Sequence, residues 1–188
     1  MPKKIIVAVT GASGSIYALH LLDKLIALKN KPAEISLIFT ENGKKVWEYE
    51  VGKFTINSKI LRLYSNDDLF ASVASGSAGY DAMVIIPCTM GTLGRIASGT
   101  SDDLISRAAD VMLKERKTLI LVTREAPINL IHIENMKTIT LAGGIIYPAS
   151  PSFYSKPKTM EELEMTVVNR VLDMMGLETD IHRWGVND

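Results

Sequence analysis

Two short stretches of this 188-residue chain carry the residue types that handle a phosphorylated ligand. Pro87-Cys88-Thr89-Met90-Gly91-Thr92-Leu93 follows a buried-type apolar run, Ala82-Met83-Val84-Ile85-Ile86, and opens a predicted helix. Small hydroxyl residues and free backbone N–H groups thus gather at a strand's carboxyl end, where open parallel sheets bind ligands. The second stretch, Val9-Thr10-Gly11-Ala12-Ser13-Gly14-Ser15, follows the first apolar run and places Gly11, Gly14 and Ala18 in a G-x-x-G-x-x-x-A pattern. Glycine lets backbone approach a phosphate, and a helix amino terminus adds N–H donors and a favourable dipole. Ser13 and Ser15 contribute hydroxyls. A tight turn without a ligand is the plain alternative, and the pattern alone does not separate nicotinamide from flavin. Two such loops in one small domain suggest a planar, phosphorylated ligand lying across the sheet edge.

Other chemistries meet obstacles in the residues themselves. A nicotinamide dinucleotide site wants an acid ending the second strand, and here Thr40 stands there with Glu41 one step later. Tyr154 and Lys158 have the Tyr-x-x-x-Lys spacing of a short-chain dehydrogenase, but Pro157 would break the helix that spacing needs. Gly11-Ala12-Ser13-Gly14 misses the G-x-S-x-G elbow of serine hydrolases by one position. His20, His132 and His182 lack the spacing of a metal cage. Cys88 has no histidine or lysine in its next turn to activate it and reads as a small packing residue. Arg107, Asp110 and Lys114 share a helix face, either as a solvated ion-pair stripe or as a functional set. Arg124-Glu125 directly follows an apolar strand, again at a carboxyl end.

The elements that position these residues alternate between strand and helix. Apolar runs predict strands over 5–9, 35–39, 82–86 and 118–122, with shorter ones at 60–63 and 145–146. Helices are expected over 15–29, 43–50, 92–97, 102–116, 127–135 and 160–175, with residues 51–80 otherwise irregular. Alternation at this spacing argues for an α/β, Rossmann-like three-layer fold, a parallel sheet flanked by helices, over a single domain spanning 1–188. Apolar residues make up 47% and charged ones 22%, ordinary for a globular protein with its own core. The formal net charge is zero, so no global field recruits nucleic acid or anionic lipid. One cysteine excludes an internal disulfide framework. No signal-peptide core and no run long enough to cross a bilayer are found, so a cytoplasmic location is expected.

Taken together, the ordered segments resemble the flavin prenyltransferases, the UbiX-like enzymes once described as aromatic acid decarboxylases. They are Gly11-Ala12-Ser13-Gly14 with Tyr17, Ala74-Ser75-Gly76-Ser77, and Pro87-Cys88-Thr89-Met90. They continue through Arg107-Ala108-Ala109-Asp110-Val111, Leu113-Lys114-Glu115, Arg124-Glu125 and Pro148-Ala149-Ser150-Pro151-Ser152-Phe153-Tyr154. The resemblance spans nearly the whole chain. Thr89 stands where serine is usual, and Asp103 where asparagine is expected.

The resemblance implies a reaction: the dimethylallyl group of dimethylallyl phosphate joins N5 and C6 of reduced FMN without a metal, and prenylated FMN passes to a UbiD-type decarboxylase. By the same matching, Gly11, Ala12, Ser13, Thr40, Thr89, Met90, Gly91, Thr92 and Arg124 would hold FMN. Ser13, Arg107, Lys114, Arg124, Tyr154 and Arg170 match phosphate-binding residues of the family, with Ser13, Arg107, Lys114 and Glu125 as the catalytic set. Glu125 would move a proton, Glu50 would reach the site from a neighbouring subunit, and Trp184 would cover the prenyl chain. The family assembles as a dodecamer with sites between subunits, so Val46, Trp47 and Tyr49 are candidate interface residues that a monomeric core could equally absorb. The distant cations would converge beside the flavin ring. Two alternatives remain: a flavin-dependent cysteine decarboxylase, for which His20 is the one histidine in the first half of the chain, and a non-catalytic FMN carrier.

Overall fold

Continuous β-branched runs bury both faces of a strand and leave only the backbone to pair laterally, which favours a parallel sheet covered by helices. The computed structural model, which describes residues 2–177, has such a sheet. Its strands are β1 (Lys4–Val9), β2 (Glu34–Phe39), β3 (Leu61–Ser65), β4 (Ala82–Cys88), β5 (Thr118–Thr123) and β6 (Ile145–Pro148). All pairings are parallel, in the order β3-β2-β1-β4-β5-β6. The helices are α1 (Ser15–Ala27), α2 (Glu41–Glu50), α3 (Met90–Ala97), α4 (Leu104–Lys114), α5 (Leu130–Leu141) and α6 (Met160–Met174).

Alternate residues of β1 divide the core. Ile5, Val7 and Val9 pack on the side of α1 and α6, against Leu21, Leu22 and Leu25 and against Val167, Val168 and Val171. Ile6 and Ala8 face α3 and α4, against Leu93, Leu104, Ala108 and Met112. The β1/β4 boundary is therefore where the chain reverses its direction of winding, leaving a crevice between diverging connections.

Several boundaries differ from the sequence expectation for local reasons. Helix α2 begins at Glu41, not 43, because the Thr40 hydroxyl caps it by accepting from Gly43 N. Helix α4 begins after Asp103, which forms a capping box with Ser106, and ends before Arg116, whose φ is 56°. Helix α5 starts at Leu130 because Asn129 caps it, and so runs well past residue 135. Within 51–80, two 3-10 turns form at Ser72–Ala74 and Gly76–Ala78, and the edge strand sits at 61–65. Trp47 belongs to the monomer's own core: it is 2% exposed and lies 5.5 Å, ring centre to centre, from both Phe39 and Phe54. Only Tyr49 of the expected interface trio is almost fully exposed.

Two glycines set the loops. Gly14 has φ 115° and turns the chain into α1. At Gly43 a methyl group would stand 2.4 Å from the Val9 carbonyl oxygen, so only hydrogen lets α2 close on the end of β1. Glu50, the last residue of α2, folds back onto the same chain: its Oε2 accepts from Gly14 N and Ser15 N, each at 2.9 Å. Within one chain, α2 packs beside α1 and brings Glu50 to the α1 amino terminus. What burial it has would raise the Glu50 carboxyl, but hydrogen bonds from the Ser13 hydroxyl and the Gly14 and Ser15 N–H groups outweigh that and lower it.

Gly43→Ala is expected to lower stability by about 1–3 kcal/mol, the usual cost of overpacking a rigid contact, as measured by urea denaturation. A carboxyl lowered in the folded state stabilises above its unfolded value and loses that contribution as pH falls through the folded one. The wild type should therefore exceed Glu50→Gln in urea midpoint at neutral pH, and the gap should close below the ordinary glutamate value of 4.5. A gap independent of pH would show that the charge on Glu50 contributes nothing.

Candidate functional site

Thr10 joins the two loops that flank the switch point. Its hydroxyl donates to Pro87 O at 2.7 Å and accepts from Thr89 N at 2.8 Å, and its own N–H reaches Pro87 O at 3.2 Å. Pro87 has no N–H to give the sheet, and the β4–β5 register slips between Ile85 and Cys88. The end of β4 is held from the β1 side instead. Thr10 is 1% exposed, and its hydroxyl bond to Pro87 O is buried while the one from Thr89 N is partly so.

Above this junction lies a polar cleft of about 410 Å³, lined by Thr10 and Gly11 after β1, Thr40 to Asn42 after β2, Asn66 after β3, Thr89 and Thr92 after β4, then Arg95, Asp102 and Asp103. Four helices begin along this edge, and they differ in how their first N–H groups are satisfied. At α1, the Glu50 carboxylate takes Gly14 N and Ser15 N. At α4, Leu104 N and Ile105 N bond the Asn66 carbonyl and side-chain oxygens, while Ser106 N and Arg107 N bond the Asp103 carboxylate and carbonyl. At α2 and α3, Thr40 and Thr89 cap only the third and fourth groups. Glu41 and Asn42 N–H, and Met90 and Gly91 N–H, have no acceptor within their helices. The α1 amino terminus thus already carries a carboxylate, whereas the first two N–H groups of α2 and of α3 have no acceptor within their helices.

Arg95 is the one cation among the described lining residues. Its Nη2 stands 3.3 Å from Asp103 Oδ2 and 3.4 Å from Thr92 Oγ1, and its Nε is 3.7 Å from Asp102 Oδ1. That Nε is shut off from solvent and makes no hydrogen bond. The pairing explains the aspartate at 103: one carboxylate oxygen caps α4 while the other faces the guanidinium, a charge match an asparagine could not provide. Thr89 keeps the role of a serine hydroxyl, accepting from Thr92 N.

The expected site residues divide into three groups. Gly11, Thr40, Thr89 and Thr92 line the cleft, with Met90 and Gly91 in the first turn of α3. Ala12 and Ser13 form the glycine loop, and Arg124 reaches it across the end of β4, its Nε donating to Ser13 O at 3.3 Å. Glu125, next to it, is exposed. The remaining cations do not join them within one chain, contrary to the expected convergence. Arg107 donates to Ala74 O and pairs with Asp110 at 3.0 Å. Lys114 pairs with Glu115 at 2.6 Å. Helix α4 runs back along the sheet, which carries Lys114 about 10 Å further from the cleft edge than Arg107. Arg170 pairs with Asp173 on α6, across the sheet from α4. Tyr154 is 74% exposed in the loop before α6. Trp184 lies outside the described residues.

Residues that sequence reasoning missed are Thr10, Asn42, Asn66, Arg95 and Asp102. The one available signal was spacing: Arg95 follows Thr92 by three positions and so shares its helix face. Cys88 is fully buried, and burial pushes its thiol up to about 12 although Arg95 draws it down, so it packs rather than reacts. His20 bonds Glu164 at 2.9 Å in the seam between α1 and α6 and does not line the cleft. Among the described residues no group of three or more His, Cys, Asp or Glu side chains is placed to hold a metal ion, and no helix is long and apolar enough to cross a membrane.

Comparison with known proteins accords with this geometry. The Flavoprotein family model matches residues 1–175. The chain is 45% identical over 185 residues to flavin prenyltransferase UbiX of Methanocaldococcus jannaschii, covering 97% of this chain and 98% of that protein. The crystal structure of AnUbiX (PadA1) in complex with FMN and dimethylallyl pyrophosphate superimposes with a TM-score of 0.89 at 40% identity, covering 98% of each chain. A dodecameric FMN-dependent UbiX-like decarboxylase from Escherichia coli O157:H7 gives a TM-score of 0.86 at 38% identity, over 96% of this chain and 98% of that one. With its reversed strand order and its hydroxyl-lined cleft, the chain belongs to the flavoprotein family and, within it, to the flavin prenyltransferases of the UbiX type.

Proposed function

We propose that this protein transfers the dimethylallyl group of dimethylallyl phosphate to N5 and C6 of reduced FMN, making prenylated FMN for a UbiD-type decarboxylase in the cytoplasm. The observation that carries this is the pair of open helix amino termini over the cleft, in a chain alike over 97% of its length to a flavin prenyltransferase. The donor set fits FMN. Four N–H groups at α2 and α3, the hydroxyls of Thr40, Thr89 and Thr92, and one guanidinium suit a phosphate monoester and the polyol chain behind it. Bound there, FMN supplies the nucleophilic nitrogen and ring carbon. The glycine loop, with Ala12 and Ser13, and Arg124, which donates to Ser13 O, would then border the ring.

The side chains do the rest. Ser13, Arg107, Lys114, Arg124, Tyr154 and Arg170 stabilise the departing phosphate, the role a metal ion plays in other prenyl transfers. Glu125 moves a proton as phosphate leaves or the ring closes. Since Arg107 and Lys114 lie on the far side of the sheet from Arg170, the full set forms where copies of the chain meet, as in a dodecamer. Exposed pairs such as Arg107–Asp110 and Arg170–Asp173 are worth about 0–1 kcal/mol each, so exchanging the carboxylate for phosphate costs little. Glu50 keeps the α1 amino terminus from binding phosphate itself.

Two other chemistries are weaker. A cysteine decarboxylase would need His20 at the cleft, and it sits in the α1–α6 seam. A flavin carrier would not need the outlying cations. Anaerobic incubation with reduced FMN and dimethylallyl phosphate should yield a flavin heavier by one prenyl unit by mass spectrometry. Arg107→Ala, Lys114→Ala and Arg170→Ala should each lower kcat/KM by about tenfold or more while FMN stays bound. An unchanged flavin mass would refute the transfer, and full turnover in all three variants would favour a different phosphate site.

A further inference from the structure

We propose that Arg95 is the specificity residue for the flavin's phosphate, the group that makes this cleft prefer FMN to unphosphorylated riboflavin. The proposal rests on the flavin reading above and adds to it a residue outside the set matched by resemblance. Three features support it. First, among the described lining residues three acids, Glu41, Asp102 and Asp103, stand against the single cation Arg95. A dianion entering this cleft is opposed by every other charge there. Second, the Arg95 contacts are long, at 3.3, 3.4 and 3.7 Å, and its buried Nε has no hydrogen-bond partner, so the guanidinium is oriented by its neighbours without being saturated. A planar fork with five N–H donors held in this way can still bind phosphate through two of them. Third, Arg95 lies on α3 one turn from Thr92, on the same helix whose first N–H groups, Met90 and Gly91, have no acceptor within it. Charge, donors and helix dipole then address the same oxygens.

Asp103 has two parts in this arrangement. One carboxylate oxygen is spent on Ser106 N and the Ser106 hydroxyl, both at 2.7 Å, and the other aims Arg95. The α4 amino terminus is closed to anions by that carboxylate, which leaves α2, α3 and Arg95 as the phosphate's partners.

The test is a fluorescence titration of the flavin-free protein with oxidised FMN and, separately, with riboflavin. Arg95→Gln should weaken FMN binding by about tenfold or more, as expected for loss of a charge-assisted bond, and change riboflavin binding less than twofold. Arg95→Lys, which keeps the charge but not the fork, should fall between, and it serves as the readout should Arg95→Gln fail to fold. Equal weakening of both ligands, or undiminished FMN binding in either variant, would overturn the role of Arg95 while leaving the flavin reading intact. A wild type that binds neither ligand would overturn both.

Discussion

The Thr10 side chain is the contact on which the site depends. A doubly wound sheet sends its connections to opposite faces at the β1/β4 boundary, so beyond the backbone bond from Thr10 N–H to Pro87 O only side chains can hold the two loop ends together above it. Pro87 weakens that point further, because it offers no N–H to the strand ladder. One hydroxyl supplies two further bonds, donating to Pro87 O and accepting from Thr89 N, from a Thr10 that is itself buried. In a low-dielectric setting such bonds are strong and costly to leave half made. The cleft, the α3 cap at Thr89 and the glycine loop all take their positions from this junction.

In the proposed phosphate site, selectivity would follow from which helix ends are left open. All four helices that start on this edge have donors to spare, and each could attract phosphate by the same dipole argument. Glu50 fills α1, and Asn66 with Asp103 fills α4. The carboxylates therefore do more than cap: they remove two competing anion sites and leave the α2–α3 pair. Arg95 is then the proposed counterweight to the acids Glu41, Asp102 and Asp103 that line the remaining cleft.

Much of the fold was legible because buried parallel strands have a simple signature. Runs such as Ile5 to Val9 and Leu119 to Val122 carry no polar residue and pair where expected, and the sheet takes the Rossmann strand order. Boundaries were less legible where a cap decides them, as at Asn129 and Asp103, since capping strength depends on a geometry no periodicity encodes. The hydroxyl and glycine loops were also legible in part: Gly11, Thr40, Thr89 and Thr92 do line the cleft. Asn66 and Asp102 were not, because they come from an edge-strand loop and a helix approach that meet only through the sheet.

By itself the sequence determined the alternation of elements, the apolar faces, the two ligand-type loops and the family resemblance, because each depends on residues near one another in the chain. Only the tertiary structure decided what each charge is next to. It brought Glu50 onto its own α1, 36 residues back along the chain, and set Arg95 against Asp103 at the cleft. It also kept Arg107 and Lys114 apart from Arg170 on opposite faces of the sheet. The physical reason is range: hydrophobic periodicity is a local property of a segment, whereas the partner of a charge is fixed by distances of a few ångströms between segments that only packing brings together.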